Sequence, residues 1–177
     1  DRAVEMLPED DGLRALARDG KGLTRPEISV LLAYAKLELY ADVLESGLPD
    51  DPYLRALLVA YFPPEAASRF RDELDRHRLK REIVANELVN RTVNLAGPLF
   101  AHRLRELSNA PVWQALRAFV LADSTFALSD LAARVAALDL KVAAEVQNRI
   151  VSDIGELLRR LGLWFIVQIP ATDKLAD

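Results

Sequence analysis

The sequence has 177 residues, of which 51% are hydrophobic and 28% are charged. This length can bury a sizeable core, and this composition excludes a disordered chain. The 23 basic and 27 acidic residues give a net charge of −4, which argues against a dedicated nucleic-acid surface. The chain has no cysteine, which excludes disulfides and thiolate metal sites.

Membrane and zinc sites are not expected either. The longest apolar run near the C-terminus, Leu163 to Val167, is far shorter than the roughly 20 residues that span a bilayer. No signal peptide or lipidation motif is recognisable, so we expect a cytoplasmic protein without a membrane partner. The two histidines, His77 and His102, lie far apart and outside any HExxH pattern, so no metal site is predicted.

The N-terminal quarter contains a clear helix start. Residues 1–24 carry an acidic run and three glycines, which predicts a loosely structured lead-in segment with one short helix. Thr24 and Glu27 have the spacing of a capping box, with Pro26 in the first turn, so a long helix is expected to follow. Gly47 should end that helix, and Asp51 before Pro52 has the pattern of the next N-cap.

The remaining punctuation predicts a succession of helices. Their expected starts are Pro52, Pro64, Leu79, Pro111, Ser129 and a point after Asp139. Gly97-Pro98 should break the helix that begins at Leu79, because proline removes a helical hydrogen bond. No segment alternates with period two, so the prediction is an all-α, multi-helix bundle with a long, largely buried central helix. The helical domain is predicted over residues 25–167, followed by a C-terminal tail over residues 168–177.

The central helix carries an unusual polar stripe. Asn86, Asn90 and Asn94 are spaced four residues apart, although asparagine is a poor residue for a helix interior. Helical geometry places Asn86 and Asn90 in one sector with Leu79, Ile83, Val93 and Gly97, with Glu82 and Asn94 at its margins. We therefore expect buried amides in a structural polar network that fixes the helix register. A ligand site or an interdomain site is the alternative.

A basic cluster precedes this helix. Its members are Arg76, Arg78, Lys80 and Arg81. They could form a weak patch for an anion or an acidic partner. Because three acidic residues lie immediately upstream, a solvated face with local ion pairs is the favoured interpretation.

Several sequence blocks resemble the large, multidomain bacterial NAD-dependent glutamate dehydrogenases. The blocks, in the order and spacing of that family, are DRAVE from Asp1, GLTRPE from Gly22, VLLAYAK from Val30, LPDDPYL from Leu48, YFP from Tyr61, REI from Arg81, NR at Asn90 and VN at Val93. The resemblance spans roughly residues 1–165. It implies the helical region that lies C-terminal to the catalytic domain.

That family oxidatively deaminates L-glutamate to 2-oxoglutarate and ammonium and reduces NAD. Its catalytic lysine and aspartate and its dinucleotide-binding fold lie upstream of this region, and no GxGxxG motif occurs here. The resemblance thus implies no catalytic, cofactor-binding or metal residue in this chain. It implies a catalytic domain of the same polypeptide as partner, NAD bound elsewhere in the parent enzyme, and a homo-oligomer. With no initiating methionine and an apolar patch near its end, the sequence is expected to be a fragment, inactive alone.

Two other functions remain open from the residues. A free-standing helical adaptor or protein-interaction domain would share the fold without the enzyme. A small helical enzyme that used Glu82 and the asparagines around a ligand would show turnover by this chain alone. The residues contain no paired carboxylates at catalytic spacing and no nucleophile beside a base, so the structural or regulatory role is favoured.

Overall fold

The computed structural model describes residues 9–172 and residue 175. In that part of the chain every regular element is helical, which confirms the all-α prediction. The ten α-helices are α1 (Asp10–Arg18), α2 (Arg25–Glu45), α3 (Arg55–Tyr61), α4 (Pro64–Arg69), α5 (Arg71–Leu74), α6 (Lys80–Ala96), α7 (Phe100–Ser108), α8 (Val112–Phe126), α9 (Leu128–Ala136) and α10 (Ala144–Gln168). Short 3-10 turns at Leu48–Asp50 and Pro52–Leu54 separate α2 from α3.

Local chemistry sets several helix ends. The Glu27 carboxylate accepts hydrogen bonds from the Thr24 backbone N–H at 2.7 Å and from the Thr24 hydroxyl at 2.6 Å, which is one half of the predicted capping box. Asp51 caps the Pro52–Leu54 turn by accepting from the Tyr53 N–H at 2.9 Å. Gly97 adopts a φ of 88°, a left-handed conformation that glycine adopts without steric cost, and it separates α6 from α7 as predicted.

The chain divides into two compact units, Asp1–Glu38 and Leu39–Asp177, and the boundary falls within α2. The described part of the first unit contains α1, which is the short helix predicted within residues 1–24, and the beginning of α2. α1 buries no residue. Residues 1–8, which include the first block of the family resemblance, lie outside the described residues, as do 173, 174, 176 and 177 of the predicted tail.

The core of the second unit surrounds α8. This helix buries seven of its fifteen residues, Val112, Ala115, Leu116, Arg117, Ala118, Phe119 and Ala122. It packs against α6, α7, α9 and α10, while α3 packs against α6. Removing a large apolar side chain such as Phe119 from water contributes about 1.5–3 kcal/mol to folding. α8 is therefore the most thoroughly buried long helix in the described part of the chain.

The largely buried central helix is not confirmed. α6 buries one face, formed by Ile83, Val84, Ala85, Leu88, Val89 and Thr92. Asn86 and Asn94 on the other side are exposed. The prediction chose the wrong sector of α6, because apolar residues occur around most of its circumference. Val84, Leu88 and Thr92, spaced by four residues, provide the stripe that faces the core.

A glycine allows α10 to approach α7 closely. A Cβ atom added at Gly162 would lie 2.8 Å from Leu104 Cδ1 and 3.2 Å from Phe100 Cζ. Leu104 is fully buried, so that atom has little room to move.

Within the described residues, no helix combines the length and the apolar character that crossing a bilayer requires.

Leu175 belongs to the core of the second unit. Leu175 is buried, and its backbone N–H donates to Asp51 Oδ2 at 3.1 Å. The other oxygen of the same carboxylate caps the Pro52–Leu54 turn. Asp51 thus links the start of one local element to a residue 124 positions away in sequence.

Candidate functional site

The predicted polar stripe lies on the outer side of α6. Asn86 and Asn94 are exposed, whereas Asn90 and Glu82 are half-buried. The expectation that Asn86 and Asn90 are buried amides is therefore wrong, because the opposite face of α6 packs on the core. None of these four side chains forms a hydrogen bond or ion pair within residues 9–172 and 175. The predicted network consequently stays a prediction, and its partners would have to be water or groups beyond the described residues.

Arg81, from the basic cluster, holds the end of α2 against the start of α6. Its Nη2 donates to the Leu44 carbonyl at 2.7 Å and to the Ser46 carbonyl at 3.0 Å. Its Nη1 pairs with the Asp50 carboxylate. Carbonyls at a helix C-terminus lack intrahelical donors and carry partial negative charge, so a guanidinium is a favourable partner. Arg81 therefore has an architectural role in this chain.

The other members of the cluster are more accessible. Arg76 and Arg78 are exposed, and Lys80 is half-buried. Nearby, Arg55 forms a two-pronged ion pair with Asp75, at 2.8 Å and 3.1 Å. Hydrogen bonding by Arg55 lowers the pKa of Asp75, and the charges of Arg55, Lys80 and Arg71 lower it further. Ion pairs thus form beside the basic cluster, between Arg55 and Asp75. An anion patch at Arg76, Arg78 and Lys80 stays a prediction.

Two clefts border α6, and the first lies at its C-terminal end. This Gly97 cleft has a volume of about 460 Å³ and is formed by the end of α6, the start of α7 and the middle of α10. Its polar lining includes Asn94, Arg103, Ser152, Glu156 and Arg159. Asn94 therefore connects the predicted stripe to a concave surface, although no buried amide lies there.

In the Gly97 cleft Glu156 is paired with arginines, whereas the Arg103 side chain in the same lining has no partner among the described residues. Glu156 accepts hydrogen bonds from Arg159 at 2.7 and 2.8 Å and from Arg160 at 2.8 Å. Hydrogen bonding by Arg159 and then by Arg160 lowers the pKa of Glu156 from 4.5 to about 2. Glu156 is accordingly an anion at neutral pH and a poor proton donor or acceptor there.

The second cleft has an apolar floor. This Arg91 cleft has a volume of about 360 Å³ and lies where α3, α6, α8 and the Pro52–Leu54 turn meet. Four of its lining residues are buried hydrophobics, Leu54, Leu57, Leu88 and Phe119. Its rim carries Tyr53, Arg91, Asp123 and Ser124. A concave apolar surface with a few polar groups at its edge is the usual form of a small-ligand site.

The two charged residues of this rim, Arg91 and Asp123, differ in their hydrogen bonding. Asp123 accepts hydrogen bonds from the Ser129 N–H and the Ser129 hydroxyl, both at 2.6 Å, and so stabilises the first turn of α9. Arg91 is exposed and has no ion pair or hydrogen bond within the described residues. In the sequence, Arg91 stands out only as part of a family-like block. Its apolar neighbours in the cleft come from separate elements, so no local pattern reveals the site.

Metal ligation was not predicted from the sequence. Across residues 9–172 and 175, no group of three or more histidine or acidic side chains is arranged to hold a metal ion. The charged side chains near the two clefts are instead arginines and isolated carboxylates.

Comparison with known proteins gives the family. Residues 20–177 match the family described as glutamate dehydrogenase, C-terminal. The chain belongs to this family. Three curated members named NAD-specific glutamate dehydrogenase align with it: 40% identical in Halomonas elongata, 38% in Pseudomonas aeruginosa and 34% in Mycobacterium tuberculosis. The alignments cover 95%, 94% and 93% of this chain, respectively.

Membership confirms the resemblance found in the sequence. The chain spans only 10% of the length of each of these three glutamate dehydrogenases. Both clefts and the predicted asparagine stripe lie inside the matched region. They are therefore features of a glutamate dehydrogenase C-terminal region and not of an unrelated helical fold.

Proposed function

We propose that this chain is a noncatalytic helical domain of an NAD-specific glutamate dehydrogenase. The parent enzyme would be cytoplasmic and would oxidatively deaminate L-glutamate to 2-oxoglutarate and ammonium, with NAD bound in another part of the polypeptide. Membership of the C-terminal family is the observation that carries this proposal. The arrangement of charges supports it, because the one strongly shifted carboxyl, Glu156, is held as an anion by two arginines.

The domain's role in that enzyme is assembly, through one face of α10. Val146, Leu157 and Trp164 are exposed hydrophobics on this helix, and Trp164 is 55% exposed. At about 100° per residue they fall within about 20° of one another, over roughly 27 Å of helix. An aligned apolar stripe that ends in an exposed tryptophan is typical of a surface that packs against another protein surface.

The proposed occupant of this α10 face is the catalytic region of the same polypeptide. The aligned relatives are about ten times as long as the part matched here, so most of their surface lies outside this chain. Intramolecular packing also has the advantage of a high effective concentration. A second subunit of a homo-oligomer is the competing occupant, and the experiments below separate the two.

The noncatalytic assignment is tested by activity. We expect no glutamate-dependent NADH formation from the purified 177-residue chain, measured by absorbance at saturating glutamate and NAD. Turnover by this chain alone would contradict the assignment.

In the full-length enzyme, Asn90→Ala should lower activity or assembly if the half-buried Asn90 bonds to groups outside this chain. Unchanged activity and stability would remove the asparagine network from the proposal.

The α10 face is tested by a charge placed at its C-terminal end. In the full-length enzyme, Trp164→Glu should expose the linkage between the domain and the catalytic region to limited proteolysis and lower the melting temperature. Leu140→Glu is the matched control, because Leu140 is 98% exposed and lies outside the stripe. If Trp164→Glu instead dissociates the oligomer and leaves proteolysis unchanged, the face is a subunit contact and the proposed occupant is wrong.

A further inference from the structure

The Arg91 cleft combines a buried apolar floor with a cation that has no partner among the described residues. Leu54, Leu57, Leu88 and Phe119 form the floor, and each is at least 94% buried. Arg91 borders the same cleft, and its guanidinium forms no ion pair in the described part of the chain. Nothing in the proposed assembly role requires this arrangement, because the α10 face lies on other residues.

No acidic side chain among the described residues pairs with the guanidinium of Arg91. Asp123 is the one acidic residue of the lining, and both of its oxygens accept from Ser129. Glu87 lies four residues before Arg91 on α6, at a spacing that permits an ion pair, yet no such pair forms. Arg91 therefore retains its full capacity to bind a carboxylate through two parallel hydrogen bonds.

The geometry points to a binding site for a small amphipathic carboxylate. Its apolar body would lie on Leu57 and Phe119, and its carboxylate would bind Arg91. The volume of about 360 Å³ lies at the lower end of the usual range for ligand pockets, which fits a single ring or a short aliphatic chain. Tyr53 at the mouth supplies an aromatic edge and a phenolic hydroxyl for the polar end of the ligand.

A pair of probes that differ only in charge tests the site. Fluorine NMR line broadening would be measured for 3-(4-fluorophenyl)propionate and for 3-(4-fluorophenyl)propionamide with the 177-residue chain and with the full-length protein that contains it. We expect saturable binding of the acid and about fivefold to tenfold weaker binding of the amide, because only the acid forms a charge-assisted pair. Equal binding of the two probes, or no saturable binding to either protein, would contradict the site.

Three variants locate the binding. Arg91→Gln should reduce the affinity for the acid to that for the amide and leave the amide unchanged. Ala56→Trp should abolish the binding of both, because Ala56 is an exposed lining residue and indole would fill the mouth. Arg134→Gln is the matched control, since Arg134 is also an exposed, unpaired helical arginine and lines neither cleft. Binding that survives both Arg91→Gln and Ala56→Trp belongs elsewhere on the protein and overturns the inference.

Discussion

The Gly97 cleft and the Arg91 cleft both border α6, yet they differ in what lies beneath their polar groups. In the Gly97 cleft, Phe100 is the one buried lining residue, and Glu156 is paired with two arginines. In the Arg91 cleft, four buried hydrophobics form the floor, and the arginine has no partner among the described residues. The larger cleft thus has a shallow lining whose carboxylate is already paired, and the smaller one has the buried apolar floor of a binding site.

The difference in depth predicts the largest effect on stability. Phe119→Ala should lower the free energy of unfolding by about 3–5 kcal/mol, because it removes a fully buried ring and leaves a cavity beneath the Arg91 cleft. Ser152→Ala in the lining of the Gly97 cleft should change it by less than about 0.5 kcal/mol, since Ser152 is exposed. Guanidinium chloride unfolding followed by circular dichroism measures both. Similar losses for the two variants would contradict the distinction between the clefts.

Alanine substitutions at two glycines of α10, Gly155 and Gly162, should change the stability of the protein in opposite directions. Gly162→Ala should destabilise the protein by about 1–2 kcal/mol, because its Cβ would overlap Leu104 in a packed interface. Gly155→Ala borders the Gly97 cleft and meets no atom within 4 Å, so better helix propensity should stabilise the protein by up to about 1 kcal/mol. Melting temperatures of the two variants should shift in opposite directions. A shift in the same direction would mean that α10 and α7 do not approach as closely as described.

The wall of the Arg91 cleft depends on Asp51. Asp51→Ala should cost about 1 kcal/mol, because it removes the cap of the Pro52–Leu54 turn, which carries Tyr53 and Leu54. It should also release the Leu175 N–H and increase the hydrogen exchange of that amide. Asp51→Asn is the matched control, since an asparagine retains one acceptor for the cap. Unchanged exchange at Leu175 in Asp51→Ala would show that this hydrogen bond does not hold the chain end.

Sequence reasoning reached the features that depend on neighbours in the chain. The helix starts at Thr24 and Asp51 and the break at Gly97-Pro98 follow from caps, proline and glycine, whose effects extend over about one helical turn. The all-α class followed from the same signals. The family blocks also lie in the sequence itself, and the match to residues 20–177 confirms them.

The inward face of α6 and the clefts depend on distant elements. Leu79 and Val93 on the asparagine side made that sector look apolar, but most buried residues of α6 lie on the side that carries Val84 and Leu88. α6 packs against α3, α8 and α10. The Arg91 cleft unites residues from α3, α6 and α8 that are separated by more than 60 positions. No local pattern marks Arg91 as unpaired, because Glu87 lies four residues earlier at the spacing of an ion pair, and no such pair forms in the described part of the chain.

The smallest expected effect concerns the paired charges of the Gly97 cleft. The folded-state pKa of Glu156 is about 2, below its ordinary value of 4.5, because Arg159 and Arg160 stabilise the carboxylate. A lowered folded-state pKa contributes stability that is present above pH 4.5 and is lost as the pH falls toward about 2. Since the Glu156 side chain is 44% exposed, solvent screening should keep this contribution small.

A pH titration of Glu156 tests whether Arg159 and Arg160 hold its carboxylate in the charged form. The carboxyl carbon resonance of Glu156 should titrate well below pH 4.5, and 1 M salt should raise the pKa of Glu156, because salt screens the arginines. Glu156→Gln should reduce the loss of stability between pH 4.5 and pH 2 and leave stability at pH 7 nearly unchanged. A Glu156 pKa at or above 4.5 would mean that Arg159 and Arg160 do not hold its charge, and the pairing that distinguishes the Gly97 cleft from the Arg91 cleft would then be absent.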